Sequence, residues 1–110
     1  MQTDRELLEL AAKAARYRIC HFVSDTKAFV SDDAIGERFY WAPKDDDGDS
    51  LRLAVRLDIE LQQFKTIFIV KWAKAGNPYE WLSEILNPDP YAAARRAIFR
   101  AAAAIGEKLK

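Results

Sequence analysis

The spacing of apolar residues changes repeatedly between a helical period and strict alternation, and this pattern constrains the fold more than any other feature. Thr3 and Glu6 form a T-x-x-E capping box, and apolar residues then recur at helical spacing in RELLELAAKAAR. From Tyr17 the segment YRICHFV alternates and is rich in aromatic and β-branched residues, which favours a strand. We predict a helix over residues 4–15, then a strand that forms a hairpin with AFV at 28–30.

The middle of the chain shows the same change of period. RFYWAP is a short extended segment ending at Pro43, and acidic KDDDGD leads into a second helix with a predicted buried face of Leu51, Ala54 and Val55. DIELQQF alternates whereas TIFIVKW is nearly all apolar, so we predict an edge strand beside a central one. Residues 79–86 fit two structures, because NPYE suits a helix start and the alternation of YEWLSEI suits a strand.

The C-terminal segment predicts a long alanine-rich helix. Asp89 is its N-cap and Pro90 lies in its first turn, and Phe99 is expected at the edge of the buried stripe, half covered. The stripe consists of Tyr91, Ala94, Ile98, Ala101, Ile105 and Leu109. The order of elements predicts a single α+β domain over residues 1–110, with one mostly antiparallel sheet of about four to five strands and three helices packed on it.

Composition excludes several classes of protein. The chain has 17 basic and 17 acidic residues, so it has no bulk attraction to nucleic acid or to a membrane. No apolar run approaches the roughly 20 residues that cross a bilayer. The N-terminus is acidic and lacks the pattern of a signal peptide, and the single Cys20 has no partner for a disulfide or a zinc site. We expect a cytoplasmic protein with Cys20 in its core.

The acidic segment DDDGDS raises the question of a metal site. A calcium loop needs a glycine at its sixth position and a glutamate at its twelfth, and neither is present when the count starts at Asp45. The spacing favours a helix start instead, in which Asp46 is the cap and carboxylates in the first turn interact with the helix dipole. Asp45, Asp47 and Asp49 are therefore only weak candidate ligands for a divalent cation, and we expect no cofactor.

No arrangement typical of a catalytic site is evident. His21 is the only histidine and adjoins Cys20, but neighbouring residues in a strand point to opposite faces, so the two cannot act as base and nucleophile together. The motifs of phosphate-binding loops and nucleophile elbows are missing from the sequence. We therefore predict a non-enzymatic protein in which His21 is structural.

Two groups of residues are candidates for binding. Arg95, Arg96 and Arg100 form a basic ridge on the last helix that could bind phosphate groups, although solvated helix faces often have this composition. Aromatic residues at the open side of a sheet would form a protein-binding surface or a base-stacking platform, and core packing is the alternative. The candidates for that surface are Tyr40, Trp72 and Trp81.

Four stretches also carry a family resemblance: TDRELLELAAKAA at 3–15, the W-x-P that begins at Trp41, DDGDSLRLAVRL at 46–57 and DPYAAARRAIFRAAAAIGE at 89–107. On these, the chain resembles small proteins encoded by tailed phages and prophages of proteobacteria, and it is distantly similar to the NinX-like phage family. That family has no catalytic residues to transfer, and its relatives have a strand before the last helix, which favours a strand for residues 79–86.

The resemblance implies a phage or prophage accessory protein that acts in the cytoplasm of the bacterial host. Such a protein would bind one host or phage protein, and a homodimer is compatible with that role. The alternative is a nucleic-acid-binding protein that uses the basic ridge of the last helix.

Overall fold

A computed structural model describes residues 2–74 and 77–109. It contains three helices and six strands, in the order α1 (Asp4–Ala15), β1 (Arg18–Phe22), β2 (Ala28–Asp32), β3 (Glu37–Trp41), α2 (Asp47–Arg56), β4 (Glu60–Gln63), β5 (Ile67–Lys74), β6 (Asn77–Ile85) and α3 (Pro90–Glu107). The α+β class is confirmed. The strand predicted for residues 79–86 is confirmed too, as most of β6.

The strands form two sheets rather than one. The first sheet has the order β1-β2-β3 and the second the order β4-β5-β6, and all neighbouring strands are antiparallel. The prediction of a single sheet with four to five strands is therefore wrong. Each sheet is a meander of consecutive strands, and α2 lies between the two meanders in the chain and packs on α3. Within each sheet, every strand thus pairs with a strand that is next to it in the sequence.

The helix starts follow the sequence closely. Thr3 and Glu6 form the capping box, in which the Glu6 backbone N–H donates to Thr3 Oγ1 at 3.2 Å. Asp46 caps α2 by accepting from the Asp49 N–H at 2.8 Å, and Asp89 caps α3 directly before Pro90. All three predicted N-caps are confirmed. The sequence could predict them because each cap is a hydrogen bond between residues two or three positions apart.

The α3 helix is the central element, with contacts to α1, α2, β5 and β6. Gly106 touches α1 so closely that a Cβ atom there would lie 1.9 Å from the carbonyl oxygen of Leu10. The alanine-rich surface of α3 therefore packs within the chain. Phe99 is fully buried, not half covered as predicted, because α3 is surrounded on several sides. None of the helices in the described residues is long and apolar enough to cross a membrane.

Three further predictions about burial are wrong. Tyr91 and Leu109, at the two ends of the stripe predicted for α3, are exposed. The α2 helix does not bury Leu51 and Val55, which are exposed, because it packs through a neighbouring stripe that includes Ser50 and Leu53. Cys20 is exposed rather than in the core. Its neighbour Ile19 packs against the core, so alternation along β1 turns Cys20 outward, at an irregularity in the pairing with β2 between residues 19 and 21.

Candidate protein-binding face

The second sheet has one covered face and one open face. Phe68, Val70 and Trp72 of β5 are buried in the core, on the side of α3. Trp72, which was predicted to bind a partner, is only 6% exposed and is therefore a core residue. The alternate residues of β5 must point away from α3, because successive side chains in a strand point to opposite faces.

The β6 strand carries aromatic side chains on its outward side and, beside Leu82, a carboxylate on its inward side. Glu84 points toward α3, where it accepts hydrogen bonds from Arg96 Nε at 3.3 Å and from Arg100 Nη1. The alternate residues point outward. Ser83 is small and polar, but Tyr79, Trp81 and Ile85 are large and 62–67% exposed. An antiparallel sheet with one solvated face normally places its polar residues on that face. Here an ion-paired carboxylate is inside and the aromatic rings are outside.

These residues form part of a continuous surface, which we call the outer face. Its members are the outward residues of the second sheet and the turn after β4: Glu60, Gln62, Phe64, Ile67, Ile69, Lys71, Tyr79, Trp81, Ser83 and Ile85. Lys71 is directly opposite Trp81 in the sheet, and Ile69 is opposite Ser83. Only two of the ten residues are charged, one of each sign.

A groove crosses the outer face. Its volume is about 400 Å³, and it is lined by Gln62, Phe64, Ile69, Lys71, Tyr79 and Trp81. The walls are largely aromatic and aliphatic, and the two polar residues allow a few directed hydrogen bonds. A concave, mainly apolar surface with a few polar groups is the usual chemistry of the centre of a protein interface.

Tyr40 is also exposed, at 59%, but it belongs to the first sheet. It ends an aromatic row in which the ring of His21 stacks on Phe29 at 5.4 Å and Phe29 contacts Tyr40 at 5.0 Å. Lys27 lies over the Tyr40 ring. Of the three predicted partner-binding residues, one is buried and the other two lie on different sheets, so the structure does not bring them together.

The basic ridge of α3 is compensated by acidic side chains. Arg95 pairs with Asp47 at 2.6 Å, and both Arg96 and Arg100 pair with Glu84. A phosphate group would have to compete with carboxylates that already hold these guanidinium groups. The ridge predicted for nucleic-acid binding therefore offers much less free positive charge than the sequence indicates.

The three candidate metal ligands in the acidic segment have separate partners. Asp45 accepts a hydrogen bond from the Thr26 hydroxyl, Asp47 pairs with an arginine of α3, and Asp49 accepts from the Ala42 N–H at 2.9 Å. Within residues 2–74 and 77–109, no group of three or more histidine, cysteine or acidic residues is placed to hold a metal ion. The acidic residues instead anchor the start of α2 to the elements around it.

Comparison with known proteins adds no family assignment. No protein-family model, curated protein or solved structure matches the chain. No match links the chain to the NinX-like phage family, so that resemblance stays a prediction from the sequence.

Sequence reasoning did not select Phe64, Tyr79 or Ile85 as surface residues. A signal for two of them was present, because Tyr79 and Ile85 share the outward alternation of Trp81 in β6. The sequence could not show which side of that alternation faces the core. Glutamates normally point to solvent, whereas Glu84 is paired with the buried Phe68 in the sheet and points inward, where arginines of α3 donate to it.

Proposed function

We propose that this chain is a non-enzymatic protein-binding module and that the outer face of its second sheet is the binding surface. The observation that supports this is the exposure of aromatic and aliphatic side chains on β6, on the side where a solvated strand normally carries polar residues. Contiguous exposed apolar surface of this kind marks interaction sites in proteins.

The composition of the outer face suits a protein partner. Trp81 and Tyr79 are of the residue types that most often dominate binding energies, since each buries a large, rigid ring. The near absence of charge keeps the desolvation cost of docking low, because few ionic groups must lose water. Lys71 and Gln62 sit among the rings and can orient the partner through hydrogen bonds.

The resemblance to phage proteins supports a second part of the proposal. The protein would act as a phage or prophage accessory protein in the cytoplasm of the bacterial host, and its partner would be a host or phage protein. The ion pairs of Arg95, Arg96 and Arg100 make nucleic-acid binding the less favoured alternative.

The test is a pull-down from nuclease-treated bacterial lysate with the tagged chain, a Trp81→Ala variant and a Tyr40→Ala variant. Both aromatic side chains are exposed, so both variants should keep the fold. We expect a stoichiometric protein partner with the natural chain and with Tyr40→Ala. Trp81→Ala should weaken binding by about 2 kcal/mol, roughly 30-fold, once the identified partner is titrated by calorimetry.

The same preparation shows whether the outer face binds a second copy of the chain. Sedimentation of the purified protein should give a monomer. A dimer that Trp81→Ala dissociates would mean that the outer face serves self-association, which contradicts the proposal. Loss of the partner in Tyr40→Ala, with retention in Trp81→Ala, would place the binding surface on the first sheet instead.

A further inference from the structure

A second concave site, separate from the outer face, lies between α2 and the first sheet. This cleft has a volume of about 400 Å³, which is within the roughly 300–1,000 Å³ typical of small-molecule sites. Part of its lining is aromatic, because Tyr17 contacts the rings of Phe39 and Trp41 edge-on at 5.2 and 5.3 Å. These rings provide a rigid apolar wall on the side of the sheet.

The helix α2 is antiparallel to the strand β3, and this arrangement places different charged residues at the two ends of the cleft. At the start of α2, Asp49 accepts a hydrogen bond from the Ala42 N–H, just after β3. At its end, Arg56 reaches Asp32, which is paired in the sheet with the first residue of β3, Glu37. The cleft therefore has two ends with different charges.

One end of the cleft has an excess of negative charge. The Asp32 side chain is 5% exposed and accepts a hydrogen bond from the Ala34 N–H at 3.2 Å. Among the described residues it pairs with one cation, Arg56, at 3.6 Å. The Glu37 carboxylate is exposed and makes no ion pair or hydrogen bond with the described residues. Two carboxylates thus face one guanidinium group, which itself donates through Nε to the Ala15 carbonyl and covers the Tyr17 ring. A ligand cation would complete the charge balance at this end.

The other end offers hydrogen-bond donors. Arg52 is one helical turn from Arg56 and, among the described residues, pairs only with Asp49, at 3.3 Å, so most of its donors face the cleft or solvent. An anionic group on a ligand would accept hydrogen bonds from Arg52 at this end.

We propose that the cleft binds a free α-amino acid with an aromatic side chain. Its ammonium group would lie at Glu37 and Asp32, its carboxylate at Arg52, and its ring against Phe39, which is only partly buried. Arg52 and Arg56 are one turn apart on α2, where Cβ atoms are about 5–6 Å apart, and Arg56 is the residue that pairs with Asp32. The donors of Arg52 and the carboxylates beside Arg56 therefore line one cleft that a single small ligand can span. The proposal does not depend on the outer face or on a protein partner.

The test compares three ligands by isothermal titration calorimetry. L-tryptophan carries both charges, tryptamine lacks the carboxylate, and indole-3-propionate lacks the ammonium group. We expect L-tryptophan to bind one per chain and the two analogues to bind roughly 10-fold to 100-fold more weakly, as is typical when a charged hydrogen bond is lost.

Two variants assign the charges to residues. Arg52→Gln should weaken L-tryptophan binding about 10-fold or more and leave tryptamine binding unchanged. Glu37→Gln should weaken L-tryptophan to a similar extent and leave indole-3-propionate unchanged. Both side chains are exposed, so the fold should persist, and Arg38→Gln is the matched control because its side chain projects from the opposite face of the same strand.

Three results would overturn the proposal. Equal affinity for all three ligands would show that only the ring is bound. No heat with any of them at millimolar concentration would show that the cleft is not a site for this class of molecule. Equal weakening of L-tryptophan in Arg38→Gln and Arg52→Gln would show that binding follows net charge, not the cleft.

Discussion

At the scale of single residues, Asp33 illustrates how a turn next to β2 is stabilised by charge. Arg18 donates from Nε to Asp33 Oδ2 at 2.9 Å, and the Ser31 hydroxyl donates to Oδ1 at 2.6 Å. The hydrogen bond from Arg18, with that from Ser31, lowers the pKa of Asp33 from 3.8 to about 2. Because the pKa is depressed in the folded chain, the resulting stability is complete above the ordinary value and is lost as pH falls toward 2.

We predict that Asp33→Asn reduces the pH dependence of the free energy of unfolding between pH 4 and 2, the window set by the pKa values of 3.8 and about 2. The amide cannot titrate, so this part of the acid destabilisation disappears. Urea unfolding at several pH values measures the effect. Glu9→Gln, an exposed carboxylate of α1 outside any ion pair of the described residues, is the control. An unchanged acid slope in Asp33→Asn would contradict the prediction.

At the scale of elements, the end of α1 depends on an unusual backbone conformation. Arg16 follows the helix with φ 65°, in the left-handed region, and its backbone N–H bonds to the carbonyl oxygens of Ala12 and Lys13. This geometry closes the helix and turns the chain into β1. A side chain with a Cβ atom is strained there, which is why glycine is common at this position in other helices.

We predict that Arg16→Gly stabilises the protein by about 0.5–1 kcal/mol. Glycine adopts the left-handed region without steric cost, and this gain is partly offset because glycine makes the unfolded chain more flexible. Thermal unfolding would show a higher melting temperature. Arg16→Ala removes the same charge and keeps the Cβ atom, so it should give no gain. Equal stability of the two variants would mean that charge, not backbone strain, governs this position.

At the scale of the whole molecule, the contact between α1 and α3 fixes how the two halves of the chain meet. These helices are distant in sequence, and they approach so closely at Gly106 and Leu10 that the space for a side chain is missing. The alanines of α3 allow the same close packing along much of the helix, where many of them are buried. The core therefore depends on small residues at the crossing of α1 and α3 as well as on large apolar ones.

We predict that Gly106→Ala destabilises the protein by about 1–3 kcal/mol, because the added methyl group collides with α1 backbone and forces the helices apart. Gly48→Ala in α2 is the matched control. Its Cβ would meet Arg52 Nη2 at 3.2 Å, the flexible end of a side chain, and alanine favours a helix. Urea unfolding of both variants gives the comparison. A Gly106→Ala variant as stable as Gly48→Ala would contradict the close helix contact.

The sequence by itself determined the parts of this protein that depend on near neighbours. The caps at Thr3, Asp46 and Asp89 act over two or three residues, and the change between helical and alternating periods identified the helices and the strands. The exposed position of Trp81 also follows from the alternation of β6 once that strand is oriented. Local hydrogen bonds and side-chain periodicity carry this information directly.

Only the tertiary structure decided the properties that depend on distant partners. The pairing of Glu84 with Arg100 joins residues 16 positions apart, and that of Arg95 with Asp47 joins residues 48 apart. Glu84 lies on the α3 side of β6, opposite its aromatic side, and the two acidic residues compensate the basic ridge of α3. The division into two sheets and the charged cleft beside α2 likewise arise when separate elements pack together, because no local period specifies which faces will meet.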